Sequence, residues 1–533
     1  MILIKRALLS VHDKTGLVPL ARTLSEIGCE LISTGGTRKA LEEAGLSVTD
    51  ISSVTKNPEA FGGRVKTLSF QICGSLLFDR KKDSAEASRL GIEPLDLVVC
   101  NLYPFQKVWE RGASLPELIE EIDIGGVTLI RAGAKNFAGV AVVVDPQDYE
   151  SIGKELISTG GRLALETRRR LMRKAFHHVA DYDAAISVAM DQQDGQESLR
   201  LSFTDGAPLR YGENPHQKAR VYRKSSSFAP FVALQGKELS YNNYLDLQSA
   251  VDTVAGLSRP ACAVIKHTNP CGIAEGDSLK RLLEVAWEGD PTSAFGSVIA
   301  FNRPLGEHDL ACLELDHTDK SRRRFVEIVV APEFSKEALS YMAHATNLRA
   351  VVHTRQGSAT DVDLRLLDGL LLRQDRDSAA EESLSDKTNR PVDPSISGLI
   401  RFGINAVRQV KSNAIVIVRA LADGTFQLLG MGSGQPNRVD SVRLAVRKAR
   451  ENLEREARDQ ALSMETHVTT ELTRAVLVSD AFFPFPDSMD ACSEAGVRTI
   501  IQPGGSIRDQ AVIRRCDELG LSMAFTGRRH FKH

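Results

Sequence analysis

The chain has 533 residues, 42% hydrophobic and 26% charged, an ordinary globular composition with apolar material for about three or four structural units. Its formal net charge of -2 supplies no field for drawing a polyanion, which argues against nucleic acid as a main partner. No run approaches the ~18 consecutive apolar residues of a membrane span, Lys5 and Arg6 interrupt the apolar start as no signal peptide allows, and the eight cysteines lack any C-x-x-C pair, so reduced thiols in the cytoplasm are expected.

In chain order, Ala7 to Val11 reads as a buried strand, and Leu17, Leu20, Ala21, Leu24 and Ile27 recur at helical spacing until Gly28. Leu31 to Ser33 reads as a second strand and Thr37 to Glu43 as a helix, with further buried strands at Asp96 to Cys100 and Val140 to Val144. This alternation predicts a parallel sheet covered by helices, an α/β fold. Arg162 to Met190 reads as one long helix, whose Arg168, Arg169, Arg170 and Lys174 are expected on a solvated face. The polar stretch Asp191 to Ser198 is the best domain boundary. Beyond it, strands at Cys262 to Ile265, Ala414 to Val418, Ala475 to Val478 and Thr499 to Ile501 give a second α/β region, and Asp375 to Ile396 reads as a surface loop or subdomain connection. No internal repeat is legible.

Three N-terminal segments share a chemical theme. Ser10-Val11-His12-Asp13-Lys14-Thr15 and Thr34-Gly35-Gly36-Thr37 each lie where a strand runs into a helix, so backbone N–H groups and a helix start can cradle an anion. Gly62-Gly63-Arg64-Val65-Lys66-Thr67-Leu68 adds two cations and a hydroxyl. Cys100-Asn101-Leu102-Tyr103-Pro104-Phe105 and Ile122-Asp123-Ile124-Gly125-Gly126-Val127-Thr128, ending in Ala134-Lys135-Asn136, follow.

In order and spacing, these five motifs resemble the cyclohydrolase domain of the bifunctional purine enzyme family, aminoimidazole carboxamide ribonucleotide formyltransferase joined to inosine monophosphate cyclohydrolase. The resemblance implies a methylglyoxal-synthase-like parallel-sheet domain that closes a formylated carboxamide ribonucleotide into a purine. Lys135 is then the proton-transfer residue, with Lys66, Tyr103 and Asp123 around the reacting groups. Ser10, His12, Lys14, Thr34, Gly35, Gly36, Thr37, Arg64, Thr67, Asn101 and Ile124 bind substrate. Proton transfer at both ends is what the chemistry needs, because a carboxamide nitrogen is a weak nucleophile and the step expels water. Taken singly, Tyr103 can also be a core hydroxyl and Asp123 a helix cap. One departure stands out: where the family continues with His-Pro and a further His, this chain has Ser69-Phe70-Gln71-Ile72-Cys73.

The second region opens with Leu209-Arg210-Tyr211-Gly212-Glu213-Asn214-Pro215-His216-Gln217, and a strand runs into Lys266-His267-Thr268-Asn269-Pro270-Cys271-Gly272. Adjacent basic residues at a strand end are by themselves usually an exposed edge. Both strings resemble the family's transformylase motifs. The resemblance implies His267 as the base that takes a proton from a delocalised amine and Lys266 as the group stabilising the oxyanion on the formyl carbon. Arg210, Tyr211, Phe295, Gly296, Glu327, Asn413 and Arg529 would line the nucleotide pocket. Arg438, Phe482, Asp487, Ser506 and Ile507 would face 10-formyltetrahydrofolate.

Gly430-x-Gly432-x-Gly434 lacks the spacing of a dinucleotide loop, and Pro270-Cys271 lacks the second cysteine and H-x-E of a zinc deaminase. The resemblance implies deaminase-like α/β subdomains without zinc, leaves a potassium ion open, and implies a homodimer binding small-molecule substrates. Residues 1–195, with a methylglyoxal-synthase-like core to about residue 146, would be the cyclohydrolase, and 196–533 the transformylase. Two alternatives stay open: a transformylase whose cyclohydrolase is weakened at Ser69 to Cys73, and one whose N-terminal domain is a nucleotide-sensing regulator.

Overall fold

The computed structural model describes residues 1–56, 65–224, 229–354, 362–378 and 383–533. The chain divides into two compact units, Met1–Ser202 and Phe203–His533. No helix among the described residues is long and apolar enough to cross a membrane.

The first unit is built on a five-stranded parallel sheet in the spatial order Thr49–Asp50, Glu30–Ser33, Arg6–Val11, Leu97–Asn101, Ala141–Val143. Alternate residues of Arg6–Val11 feed two cores: Ala7, Leu9 and Val11 pack on one face and Leu8 on the other. All five residues of Leu97–Asn101 are buried, as a strand covered on both faces requires. The Leu17–Glu26 helix buries Leu17, Leu20, Ala21 and Leu24, its expected stripe. The strand order reverses between Arg6–Val11 and Leu97–Asn101, and the crevice at the carboxyl ends of such a pair is where open α/β sheets take ligands.

Three expectations for this unit are corrected. The helix after Ser33 starts at Gly35, two residues before Thr37, because extended Thr34 occupies the N-cap position. The long helix is Leu165–Gln193, because Arg162–Leu163 is used as a strand pairing with Ile2–Leu3. Its basic run is not a uniformly solvated face. Arg168 is buried and donates to the carbonyls of Leu163, Phe137 and Ala138 at 2.5, 3.0 and 3.1 Å. Arg170 and Lys174 both bind Asp148 at 2.6 Å, whereas Arg169 is exposed.

The second unit holds a 12-stranded mixed sheet, and here an internal repeat emerges that the sequence does not display. One copy runs from the Tyr241–Ala255 helix through the hairpin Ala261–Lys266 and Asn269–Glu275, the Leu279–Trp287 helix, and strands Ser297–Phe301, Val326–Ala331 and Arg349–His353. The other runs from the Ser397–Arg408 helix through Ile415–Ala420 and Phe426–Gly432, the Arg438–Asp459 helix, and Val476–Ser479, Thr499–Gln502 and Ser522–Phe525. In each copy the third strand pairs antiparallel with the first, and the fourth and fifth follow in parallel. The copies meet where Ala274 pairs with Gln427 and Glu275 with Phe426.

The correspondence extends to single residues. Val264 pairs with Gly272 just before a register shift, and Ile417 pairs with Gly430 at the same kind of shift. A Cβ on Gly272 would lie 1.8 Å from the Ala286 carbonyl oxygen, and one on Gly430 would lie 2.3 Å from that of Ala445. Each glycine therefore lets a helix backbone approach the hairpin, so Gly430 and Gly432 serve packing. The polar connection after Asp375 is not wholly loop, since Ser385–Asp386 pairs with the edge strand at Phe525 and Ala524.

Candidate functional sites

In the first unit, the crevice between the two central strands is closed by one side chain. Asn101 Oδ1 accepts the backbone N–H groups of His12 and Asp13 at 2.7 and 2.9 Å, and its Nδ2 donates to the Asp13 carbonyl at 2.9 Å. The buried Thr37 hydroxyl accepts from the Val11 N–H at 3.1 Å and donates to the Val11 carbonyl at 3.0 Å. Asn101 and Thr37 thus brace the turn that presents His12, Asp13 and Lys14 to solvent. Lys66 reaches the Gly35 backbone, its Nζ lying 3.8 Å from where a Cβ would stand. Thr34, Gly35, Arg38, Asp50, Ser52 and Lys66 line an adjoining cleft.

The Asp123 carboxylate accepts from the Gly126 N–H at 2.6 Å and from the Tyr103 backbone N–H. It therefore is a helix cap, and it is also a half-buried carboxyl whose desolvation pushes it above the ordinary carboxylate range. A Cβ on Gly125 would meet the Thr67 hydroxyl at 2.8 Å, and one on Gly126 would meet Asp123 at 2.5 Å, so only glycine fits here. Tyr103 is 45% exposed, not a core hydroxyl, and its ring stands edge-on to His12 at 5.8 Å. Ser10 is the penultimate residue of the central strand, and exposed Ile124 precedes the helix.

Lys135 does not join this group. It ends the Gly125–Lys135 helix, whose start carries the Asp123 and Thr67 contacts, and at 1.5 Å per residue the two ends are about 15 Å apart. Arg64 lies outside the described residues. Ser69, in the departing segment, caps the Phe70–Leu77 helix by accepting from the Ile72 N–H at 3.1 Å.

In the second unit, Lys266 ends a buried strand and donates to the Phe295 carbonyl at 2.7 Å. Gly296 beside it has φ +75°, a left-handed turn natural to glycine. His267 and Thr268 form the tight turn that follows, with φ 54° and 60°. Asn269 ties this turn to the other repeat, its Oδ1 accepting from the Ser433 hydroxyl at 2.8 Å.

That bond places a second cluster on the same edge of the sheet. Arg438 is buried against Asp480, donates to Ser479 Oγ at 2.9 Å, and donates to Asn413 Oδ1 at 2.6 Å. Asn413 Nδ2 donates to the Gln435 carbonyl at 2.8 Å. The guanidinium is thus held by protein groups and fixes the Asn413 amide. Gln502 Oε1 accepts from the Phe483 N–H at 2.8 Å, bringing the Phe482 segment beside the strand that leads to Ser506 and the fully exposed Ile507.

Other expected pocket residues stand apart in their contacts. Glu327 pairs with buried Arg349 at 2.6 Å. Arg210 stacks on Tyr211 at 5.3 Å and Arg529 on Phe531 at 4.4 Å, and Asp487, the first residue of its helix, accepts from the Ser488 N–H at 2.8 Å. The sequence reading missed Asp480, Gln502, Tyr182 and Asp246, none of which sits in a motif with the residues it supports. Among the described residues, no three His, Cys, Asp or Glu side chains gather as a metal-ligand set.

Two family models match the chain, and relatives match it along nearly its whole length. The AICARFT/IMPCHase bienzyme family matches residues 133–448 and the MGS-like domain residues 16–128. A relative named bifunctional purine biosynthesis protein PurH, from Persephonella marina, is 42% identical over 99% of this chain and 100% of its own. One of the same name from Bacillus cereus is 43% identical over 99% of this chain and 100% of its own. A solved structure described as "Crystal structure of ForH" is 34% identical over 35% of this chain and 99% of its own, with a TM-score of 0.32.

Proposed function

The chain belongs to the AICARFT/IMPCHase bienzyme family, and on that premise we propose how its two units divide the last two steps of inosine monophosphate synthesis. The Phe203–His533 unit transfers a formyl group from 10-formyltetrahydrofolate to the amine of the aminoimidazole carboxamide ribonucleotide. The Met1–Ser202 unit then closes the formylated product with loss of water.

The observation that carries the first assignment is the shared edge on which Ser433 and Asn269 join the Lys266–His267 turn to the Asn413–Arg438 cluster. His267 takes the amine proton as nitrogen attacks the formyl carbon. Lys266 supports the oxyanion, a positioned donor worth on the order of 100- to 1,000-fold in turnover. Asn413, Glu327, Phe295, Gly296, Arg210, Tyr211 and Arg529 serve the nucleotide side. Phe482, Asp487, Ser506 and Ile507 serve the folate side, with Arg438 acting through Asn413.

For ring closure, the helix start at Gly35 and the His12 turn hold the phosphate and ribose with Ser10, Lys14, Thr34, Gly36, Thr67 and Ile124. Lys66, Tyr103 and Asp123 surround the reacting groups. Nucleophile and formyl carbon share one molecule, so holding them in register removes much of the barrier. Deaminase-like subdomains fit the repeated hairpin-first sheet order, and a homodimer fits the family.

The deciding experiment gives the purified full chain the synthetic formylated ribonucleotide without folate. Inosine monophosphate formation by wild type, and its loss in Asp123→Asn, are the expected results. No product from wild type overturns the ring-closing half and leaves a transformylase with an inactive or regulatory N-terminal unit. Lys135→Ala separates two arrangements: full activity confines proton transfer to the Lys66, Tyr103 and Asp123 group, as the geometry favours, and loss shows that Lys135 enters the site in the assembled enzyme.

A further inference from the structure

The turn that carries His267 is built against the preferences of its own residues. Two successive left-handed residues make a hairpin turn for which Asn-Gly is the favoured pair, yet here they are His267 and Thr268. A β-branched threonine at positive φ costs on the order of 1–3 kcal/mol and persists only where surrounding structure over-determines it. The surroundings here are specific. Asp246 Oδ1 accepts from the Thr268 N–H at 2.7 Å, and the same carboxylate accepts from the His267 N–H. Ser249, one helical turn on, donates to the Thr268 carbonyl at 3.0 Å, and Asn269 Nδ2 donates to the His267 carbonyl at 3.0 Å.

We propose that Asp246 is a positioning residue for formyl transfer: from the Tyr241–Ala255 helix it clamps the left-handed His267–Thr268 turn and so fixes where the imidazole stands. This rests on the reading of His267 as the base. As nitrogen attacks, its N–H bond breaks and an imidazole N–H bond forms, so the ring becomes cationic. The ring can take that proton only where it stands in register with the amine, so the geometry of the turn is a condition of the step. Asp246 is half-buried, and desolvation holds its carboxyl above the ordinary range. The other charged groups at this corner are Lys266 on the same hairpin, and Asp290 with Lys448 paired at 3.0 Å beside Cys271.

The test compares kcat and KM for formyl transfer in wild type, Asp246→Asn, Asp246→Ala, Asp246→Ala with Thr268→Gly, and His267→Ala. Asparagine keeps an acceptor for the turn and removes the charge. It should therefore keep most of the wild-type kcat, with KM little changed. Alanine removes both functions and should lower kcat on the order of 100-fold, the scale of a misplaced catalytic group. Adding Thr268→Gly, which adopts positive φ freely, should restore about tenfold of that loss. Unchanged kcat in Asp246→Ala, with His267→Ala inactive, overturns the role of Asp246 alone. Turnover surviving in His267→Ala overturns the base assignment and this proposal with it.

Discussion

The Tyr182 hydroxyl accepts a hydrogen bond from the Asp123 backbone N–H at 2.8 Å and donates one to the Glu121 carbonyl at 3.0 Å. One side chain on the long Leu165–Gln193 helix therefore pins the loop that carries the site carboxylate. Burial pushes this hydroxyl up to about 12, so it remains a donor. Tyr182→Phe leaves a polar pair unsatisfied, a cost of about 1–3 kcal/mol. Ring closure should slow while formyl transfer stays at the wild-type rate, as measured with each substrate supplied separately.

Asp123 links activity to stability. Its carboxyl is raised from the ordinary 3.8, first by desolvation. A raised acid favours the folded state fully below pH 3.8, and that contribution is lost as pH rises through its folded value. Asp123→Asn, which can still accept from Gly126, should therefore be more heat-stable than wild type at neutral pH. The gain should vanish below pH 3.8, and ring closure should be lost. Thermal unfolding across pH checks the first part, and an unchanged difference at all pH values would refute it.

Neighbouring arginines on one helix should behave differently. Arg168 satisfies three carbonyls from a buried position while Arg169 faces solvent. Arg168→Ala should cost about 2–3 kcal/mol, and Arg169→Ala should stay within about 0.5 kcal/mol of wild type. Urea unfolding of the two variants side by side makes the comparison.

The Arg438–Asp480 pair has side-chain exposures of 6% and 0%. Asp480→Ala leaves a buried cation without its partner, a loss of about 3–5 kcal/mol. The double variant Arg438→Met, Asp480→Leu should recover stability, because it removes both charges together. It should not recover formyl transfer, because Asn413 loses the donor that orients it. Denaturant midpoints and turnover read the two effects separately.

Much of the framework was legible in the sequence because strands and helices leave local periodicities. The buried runs near Ala7, Leu97, Cys262 and Ile415 all became central strands, and the stripe of Leu17, Leu20, Ala21 and Leu24 became a helix face. The motifs around His12, Gly35, Asn101, Asp123 and Lys266 could be read because each is contiguous and sits at a strand end or, for Asp123, just before a helix. The Arg168 run misled because a guanidinium that caps backbone carbonyls has no side-chain partner to betray it.

The sequence by itself determined the α/β class, the family, and the segments that carry chemistry, since each is encoded within a few consecutive residues. Only the tertiary structure decided which segments meet. Asn269 and Ser433 stand 164 residues apart yet share a hydrogen bond, and Thr268 finds Asp246 22 residues earlier on a helix. The duplicated sheet was hidden for a related reason. A hairpin and its covering helix need apolar residues in alternating positions and one glycine for close approach, but not the same residues in both copies. Lys135 shows the converse: twelve residues from Asp123 in the sequence, it is carried away by the rise of the helix between them, because an α-helix separates its ends by length alone.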